Sequence, residues 1–457
     1  MENSAIVNSW QKKIFYIRGK CHMQRFADKD IAIILGKTNG FLYDAISNTI
    51  FKLELSAAEK IQTILNNPKS KEYEDFQEYL ENILKNKPVS MLQHTDCFKT
   101  KHLKKLTIMT ATNCNLRCKY CYANYGSYSD YLPQLLTENN AVNYLDTILN
   151  YFEEIDQIKF FGGEPLLGIK AIEAICDKMK EWHDCGRIKK VPEYTIITNL
   201  TLLDKKMLKI IERNNIHLTV SLDGPPDVND VLRVDENGNG TYDKVSENIK
   251  LCHHYITGIE ATYTRIHEKL GWTMEGLQNF LANKFELQSG IVYVCPAIGS
   301  DNTICFPPEK IEFGNMGVAG INLGNARILY ALKSENQCDL LCTAGFSGLT
   351  IMPNGDLYPC HLYALDRNYC MGTFDVNSKS YLNLEQKVKN VRHNMKVINK
   401  LEHEECRNCW ARNLCYRCPA DSLIFLEDKS LSFECGVRKE MMKKSLAMGL
   451  ESLLPTN

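Results

Sequence analysis

Three cysteines fall within the eight residues CNLRCKYC: Cys114, Cys118 and Cys121, with three and then two residues between them. Thiols at this spacing can share one metal centre. Three thiolates are one short of a closed tetrahedral zinc site, and one short of a fully ligated cubane. A [4Fe–4S] cluster held by three cysteines would keep one iron without a protein ligand, open to a small molecule. Structural zinc with a fourth ligand from elsewhere is the other reading.

A second cysteine field begins at Cys338. Cys342 is followed by twelve residues, Gly355, four more residues and Cys360. Cys406 and Cys409 then stand two residues apart, Cys415 follows after five, Cys418 after two and Cys435 after sixteen. A zinc ribbon over Cys406, Cys409, Cys415 and Cys418 competes here with iron–sulfur ligation. The chain holds 19 cysteines, an odd count, and its opening MENSAIVNSWQKKIFYIRGK lacks the apolar core of an export signal. Clustered thiols in a reducing compartment read as metal ligands rather than a disulfide framework. Cys370 is a further thiol of this field, between Cys360 and Cys406. Cys21, Cys97, Cys176, Cys185 and Cys252 read as small apolar or surface thiols. Cys295 and Cys305 are expected beyond the last strand, within reach of the active site, and not as ligands.

Such ligands need elements to carry them. LKKLTIMT, QIKFFGG, EYTIITN, HLTVSLDG, IEATYTR and GIVYVCPA read as strands within residues 103–298. AVNYLDTILNYFEEI, KKMLKIIERNN, YDKVSENIKLCHHY and EGLQNFLANKF read as helices, as does the stretch placing Ile169, Ile172, Ile175 and Met179 on one face. Six steps of this kind predict a parallel sheet with helices packed outside it, open or closed into a barrel. The polar motifs all follow strands, the end at which parallel barrels do chemistry. Residues 1–98 form a separate strand-plus-helix module. DIAIILGKTNGFLYDAI predicts a hairpin turning at Asn39-Gly40. SAAEKIQTIL predicts a helix with Ser56 and Glu59 as its capping box. EDFQEYLENIL predicts a second helix, with Phe76, Leu80, Ile83 and Leu84 on one face and Lys87-Pro88 at its end.

The C-x3-C-x2-C motif, with aromatic Tyr120 before its last cysteine, resembles that of the radical S-adenosylmethionine (SAM) enzymes. FFGGEPLL resembles their SAM-binding stretch, at Gly162, Gly163, Glu164 and Pro165. Glycines there let the backbone approach a ligand closely. The resemblance carries further SAM contacts to Thr198 and Asn199 in ITN, and to Ser221 and Asp223 in SLDGP. Asp223, Arg233 and Tyr263 also follow strands, without an assigned catalytic role. The implied fold is α/β, a partial (β/α)6 TIM-like barrel over residues 99–305. The later cysteines resemble the SPASM extension, here a bridging region and cysteine-rich domain over residues 306–457, which binds two auxiliary [4Fe–4S] clusters. By that resemblance Cys342, Cys360 and Cys418 serve the first, with Cys338 as fourth ligand or an open position. Cys406, Cys409, Cys415 and Cys435 serve the second. The family usually has three residues between the pair matching Cys415 and Cys418, and this chain has two. Residues 1–98 resemble the winged-helix-like peptide-recognition domain of ribosomal-peptide maturases, related to the small peptide chaperone of pyrroloquinoline quinone biosynthesis. Such a domain would bind a leader peptide by strand addition.

The resemblance implies SAM and three [4Fe–4S] clusters as cofactors, with reductive SAM cleavage to a 5′-deoxyadenosyl radical. An open auxiliary iron would hold a substrate cysteine as thiolate. The leading expectation is therefore a maturase forming thioether (sactionine or ranthionine) links in a precursor peptide, with flavodoxin or ferredoxin as electron donor. Carbon–carbon or carbon–oxygen linkage, epimerisation, and formylglycine formation by an anaerobic sulfatase maturase are alternatives. A non-catalytic, metal-stabilised peptide-binding protein is the alternative of another class. Lys plus Arg total 54 against 55 for Asp plus Glu, a balance that argues against a nucleic-acid partner. No apolar run approaches the roughly 18 residues of a membrane span, so the expected location is the cytoplasm.

Overall fold

The computed structural model describes residues 30–46, 48–84, 93–94, 101–128, 130–299, 301–307, 332, 336–337, 339–374, 381–394, 399–415, 418, 420 and 435–451. Cys21, Cys97, Cys338 and Lys87-Pro88 lie outside these residues, as do the side chains of Leu80, Ile83 and Leu84.

The N-terminal module opens with an antiparallel meander: β1 (Ile31–Leu35), β2 (Asn39–Asp44) and β3 (Thr49–Glu54). Two helices follow, α1 (Leu55–Leu65) and α2 (Lys71–Leu84). The hairpin does not turn at Asn39-Gly40. It turns at Gly36–Thr38, closed by Gly36 N donating to Asn39 O at 2.9 Å. Gly40 instead lies within β2, paired with Leu35 and Leu53. Its bare Cα is what lets α1 approach, because a Cβ there would stand 2.1 Å from Ala58 Cβ. Nor is Ser56 a cap. β3 runs straight into α1, and Glu54 occupies the N-cap without a side-chain bond. Ser70 is the residue that starts α2, its Oγ accepting from Tyr73 N at 3.2 Å.

The strand β1 is apolar at every position, IAIIL, as a strand covered on both faces must be. Ile31, Ile33 and Leu42 pack toward Ala58 and Phe76 of the two helices. Ala32, Ile34, Phe41 and Tyr43 pack the other way, onto Trp410, Ala411, Leu414, Leu446, Ala447 and Leu450.

The central sheet is built from β4 (Lys105–Ala111), β5 (Gln157–Gly162), β6 (Glu193–Thr198), β7 (His217–Ser221), β8 (Ile256–Tyr263) and β9 (Val292–Pro296). Neighbours pair in chain order and all in parallel, the six steps expected from the sequence, and they curve into a partial barrel. The intervening helices include α3 (Glu138–Leu149), α4 (Ile169–Asp184), α5 (Lys205–Arg213), α6 (Pro226–Leu232), α7 (Tyr242–Cys252) and α8 (Met274–Lys284). Several start on side-chain caps placed just after a loop. Thr137 accepts from Asn140 N at 3.2 Å, and Asp204 from Met207 N at 2.7 Å. Strand alternation fixes the two faces. Ile158 and Phe160 of β5 enter one core with Ile172, Ile175 and Met179 of α4, while Lys159 and Phe161 turn into the barrel.

The sheet does not end at β4. β10 (Gly348–Ile351) pairs in parallel with β4, and β11 (Asp356–Tyr358) and β12 (Gly372–Thr373) continue it antiparallel. The cysteine-rich region is thus hydrogen-bonded to the barrel's first strand. Two later helices, α9 (Tyr381–Asn394) and α10 (Cys435–Glu451), complete the described residues. Among these residues no helix is long and apolar enough to cross a membrane.

The Gly40 contact is testable. Gly40→Ala should lower the stability of the N-terminal module by about 1–3 kcal/mol through overpacking against Ala58. A separate, earlier unfolding transition for that module in denaturant titrations would show it, with the barrel transition unchanged.

Candidate functional site

The loop after β4 carries Cys114, Cys118 and Cys121 at the C-terminal mouth of the barrel. Arg117 fastens it from inside: its Nη1 donates to Cys114 O at 2.7 Å and Leu116 O at 2.9 Å. Backbone bonds from Arg117 N to Val234 O (2.7 Å) and from Lys119 N to Leu232 O (3.0 Å) tie it to the far side. Donors already face the sulfurs. Leu116 N lies 3.4 Å from Cys114 Sγ, Tyr125 N 3.3 Å from Cys121 Sγ and Asn199 Nδ2 3.7 Å from Cys114 Sγ. Hydrogen bonds of this kind tune the potential of an iron–sulfur cluster. Burial, reinforced by Glu164, pushes the Cys114 thiol up to about 12, and burial raises Cys118 as well. Thiolates in such a place need the positive charge of a metal.

Gly162 and Gly163 press against this loop. Gly163 N donates to Ala111 O and Glu164 N to Asn113 O, each at 3.0 Å. A Cβ on Gly163 would lie 2.2 Å from Asn113 O, and one on Gly162, whose φ is +149°, 2.4 Å from Ala111 O. Pro165 then starts a short turn with Glu164 as its cap. The Glu164 carboxylate is 1% exposed. It accepts from Thr198 Oγ1 at 2.6 Å, Asn199 N at 2.8 Å and Leu166 N at 3.0 Å. Burial raises its pKa, and these bonds oppose the rise. Asn199 reaches onward to Asn115 Oδ1 at 3.0 Å, and Asn115 Nδ2 to Thr201 Oγ1 at 2.8 Å. The structure therefore joins Cys114, Glu164, Thr198 and Asn199 in one network. Asn113 Oδ1 is buried beside it and has no partner among the described residues. An acceptor without a donor, next to a glycine cradle, fits the amino-bearing end of SAM.

A second network closes the opposite wall. The Tyr120 hydroxyl meets both Asp223 Oδ2 and Arg233 Nη1. Asp223 is fully buried; its Oδ1 accepts from Thr262 N at 2.9 Å and lies 3.5 Å from Arg233. His267 Nε2 donates to Asp223 O at 2.6 Å while its Nδ1 accepts from Thr264 N at 3.0 Å. That bonding needs a neutral ring, and burial lowers the His267 pKa accordingly. Tyr263 belongs to packing: its hydroxyl donates to Trp272 O at 2.5 Å and its ring stacks on Phe306. Ser221 ends β7 on the inward face.

The lumen below holds groups to which the sequence reading assigned no role. Lys159 stands 4.8 Å over the Phe161 ring, and Phe161 meets His361 edge-on at 4.9 Å. Glu260 occupies an inward position on β8, and Cys295, expected beyond the last strand, instead lies within β9 on its inward beat. Burial lowers Lys159 to about 8, opposed by the charge of Glu260. Burial, aided by Lys159, holds His361 neutral. The signal in the sequence was a charged residue on the inward beat of an otherwise apolar strand, KFF and IEATY. It can be read only once the helices are known to cover the other beat.

Two thiol groups form the second field. Cys342, Cys360 and Cys418 all bear electrostatically on the Tyr363 hydroxyl. Gly355, at φ +90°, turns the chain between β10 and β11 so that Cys360 returns to Cys342. Cys435 and Cys409 bear on Cys406 in the same way. Cys415 N donates to Ala411 O at 2.8 Å in the same loop. Cys370 lies near Tyr358, and Cys338 is outside the described residues. Among the described residues no three Cys, His, Asp or Glu side chains converge as ligands of a single ion. Groups made of thiols alone are the ligand chemistry of iron–sulfur clusters.

Comparison with known proteins agrees with this geometry. A profile described as the radical SAM superfamily matches residues 108–282, and one for the SPASM iron–sulfur cluster-binding domain matches residues 342–410. The cysteine-type anaerobic sulfatase-maturating enzyme of Clostridium novyi is 26% identical over 345 residues, covering 69% of this chain and 87% of that protein. An uncharacterized protein of Methanocaldococcus jannaschii is 38% identical over 136 residues, which span 30% of this chain and 44% of that one. Among solved structures, anSMEcpe with bound SAM has a TM-score of 0.57 at 20% identity, covering 76% of this chain and 98% of its own. The two domains imply SAM and multiple [4Fe–4S] clusters as cofactors.

The glycine cradle generates a direct expectation. Gly163→Ala should weaken SAM binding by about tenfold to a hundredfold, the size of a 1–3 kcal/mol steric clash. Equilibrium binding to the reconstituted protein measures it, and the iron content should stay at the parent's level.

Proposed function

We propose that this chain, a radical SAM enzyme carrying a SPASM domain, installs cysteine thioether cross-links in a ribosomally made precursor peptide. When bound at Cys114, Cys118 and Cys121, the cluster and SAM would supply a 5′-deoxyadenosyl radical able to take hydrogen from a substrate carbon. The residues of the chain aim and shelter that chemistry. Gly162, Gly163 and Asn113 would seat the methionine end of SAM. Tyr120, Asp223 and Arg233 would hold the cysteine loop against the far wall. Lys159, Glu260 and His361 would line the substrate's path through the lumen, and Cys342, Cys360 and Cys418 would present an auxiliary cluster beside it.

The observation that carries the reading is the N-terminal module. Among the described residues β1 and β3 each pair only with β2, leaving two sheet edges able to take up an extended peptide. The solved anSMEcpe chain is matched over nearly all its length by about three quarters of this one, so a quarter of this chain lies beyond that likeness. A leader bound at such an edge, an auxiliary cluster holding the substrate cysteine as thiolate, and flavodoxin or ferredoxin as electron donor complete the proposal, with the cytoplasm as its setting.

Sulfatase maturation is the second reading, favoured by the 26% identity to the Clostridium novyi enzyme. One experiment separates the two. The enzyme is co-produced anaerobically with a short cysteine-containing peptide encoded beside it, and the peptide is analysed by mass. Loss of two hydrogens per bridge, with cysteines that no longer alkylate, supports the thioether maturase. An aldehyde at one cysteine transfers the assignment to formylglycine formation. The parent should also load about twelve irons and release 5′-deoxyadenosine, and the Cys114→Ala, Cys118→Ala, Cys121→Ala variant about eight irons and none of the nucleoside.

A further inference from the structure

The N-terminal sheet rests on the loop that carries the second set of cysteines. Trp410, Ala411 and Leu414, which lie between Cys409 and Cys415, are buried against Ala32, Ile34, Phe41 and Tyr43. The Tyr43 and Trp410 rings meet edge to face at 6.3 Å. Arg412 Nη1 lies 2.7 Å from Asp30 Oδ1, and Asn413 Nδ2 donates to Ala45 O at 2.6 Å. Leu446, Ala447 and Leu450 of α10 cover the same face, and α10 begins at Cys435. Glu451, its last residue, accepts from Thr38 N at 2.7 Å and Asn39 N at 3.4 Å.

The seat has little regular structure of its own. From Asn399 to Cys415 the chain makes one three-residue turn, one four-residue helix and a succession of tight bonds: Cys409 N to Cys406 O, Arg412 N to Cys409 O and Cys415 N to Ala411 O. A segment this short does not hold its shape by backbone bonding alone. A metal centre ligated at its two ends supplies what it lacks, since ligand binding free energy becomes folding free energy.

We infer that loading the cluster at Cys406, Cys409, Cys415 and Cys435 and docking the N-terminal module are one linked equilibrium. The cluster builds the platform on which the module sits, and the docked module in turn holds the cluster. The inference rests on reading those four cysteines as cluster ligands. It assigns this centre a structural duty toward the peptide-recognition module, apart from any electron it carries. A module held only on loaded enzyme would deliver its peptide only to enzyme able to process it.

Hydroxyl-radical footprinting of the full reconstituted chain tests the first direction. Tyr43 and Phe41 are shielded in the interface, so Cys406→Ser with Cys409→Ser should raise their oxidation about tenfold or more. The Cys114→Ala, Cys118→Ala, Cys121→Ala variant, which loses a different cluster, should leave them shielded. Equal protection in the Cys406→Ser, Cys409→Ser variant would overturn the proposal. The reciprocal direction uses Asp30→Asn with Glu451→Gln, which replaces no cysteine and removes the Asp30–Arg412 and Glu451–Thr38 contacts between module and seat. In it, about four of the roughly twelve irons should pass to a chelator at least about threefold faster than from the parent. An unchanged rate would overturn the linkage while leaving the cluster assignment intact. A parent chain that reconstitutes with only about four irons would remove the assignment and the proposal together.

Discussion

A carboxylate at the centre of a protein is tolerated only when its charge is answered, and Glu164 is answered three times. Its donors come from its own turn, at Leu166, and from the end of the next strand, at Thr198 and Asn199. That one group therefore fixes the spacing between two strand ends. Through Asn199 and Asn115 it also fixes the loop bearing Cys114. The glycines beside it can press onto Asn113 because the carboxylate holds the turn in place. Take away those three donors and the strand ends, the cysteine loop and the cradle lose their common anchor.

The opposite wall solves a related problem by pairing. Asp223 and Arg233 meet across the Tyr120 hydroxyl, and a neutral His267 supports the Asp223 carbonyl from behind. The lumen between the walls is left unlike either. Lys159 and Glu260 enter it from strands that are apolar on their other face, and the described residues give neither a hydrogen-bonded partner. Each offsets part of the other's charge, Glu260 opposing the depression of the Lys159 pKa, and Lys159 also stands over the Phe161 ring.

What was legible in the sequence was local. The cysteine spacings, the Gly-Gly-Glu-Pro turn and the alternation of strands with helices each depend on neighbours within a few residues, and the barrel follows from them. What was not legible depended on contacts distant in sequence. Asn39-Gly40 has the residues of a tight turn, yet Gly40 was needed inside a strand for the approach of Ala58. Ser56 has the spacing of a cap, yet β3 enters the helix without a break and leaves it no such place. The inward charges of Lys159 and Glu260 acquire meaning only when the outer face is known. The seating of β1 and β2 on Trp410 and Leu446 joins segments from the two ends of the chain, and no short pattern encodes it.

The continuation of the central sheet through β10 and β11 has a mechanical consequence. β4 leads directly into the first cysteine loop, and the hairpin of β10 and β11 runs between Cys342 and Cys360. Two metal centres mounted on separate bodies would drift with every flexing of the linker between them. Here the strand that leads into the Cys114 loop and the hairpin between Cys342 and Cys360 are neighbours in one hydrogen-bonded sheet, so the spacing of the two cysteine groups is set by the geometry of that sheet rather than by a linker.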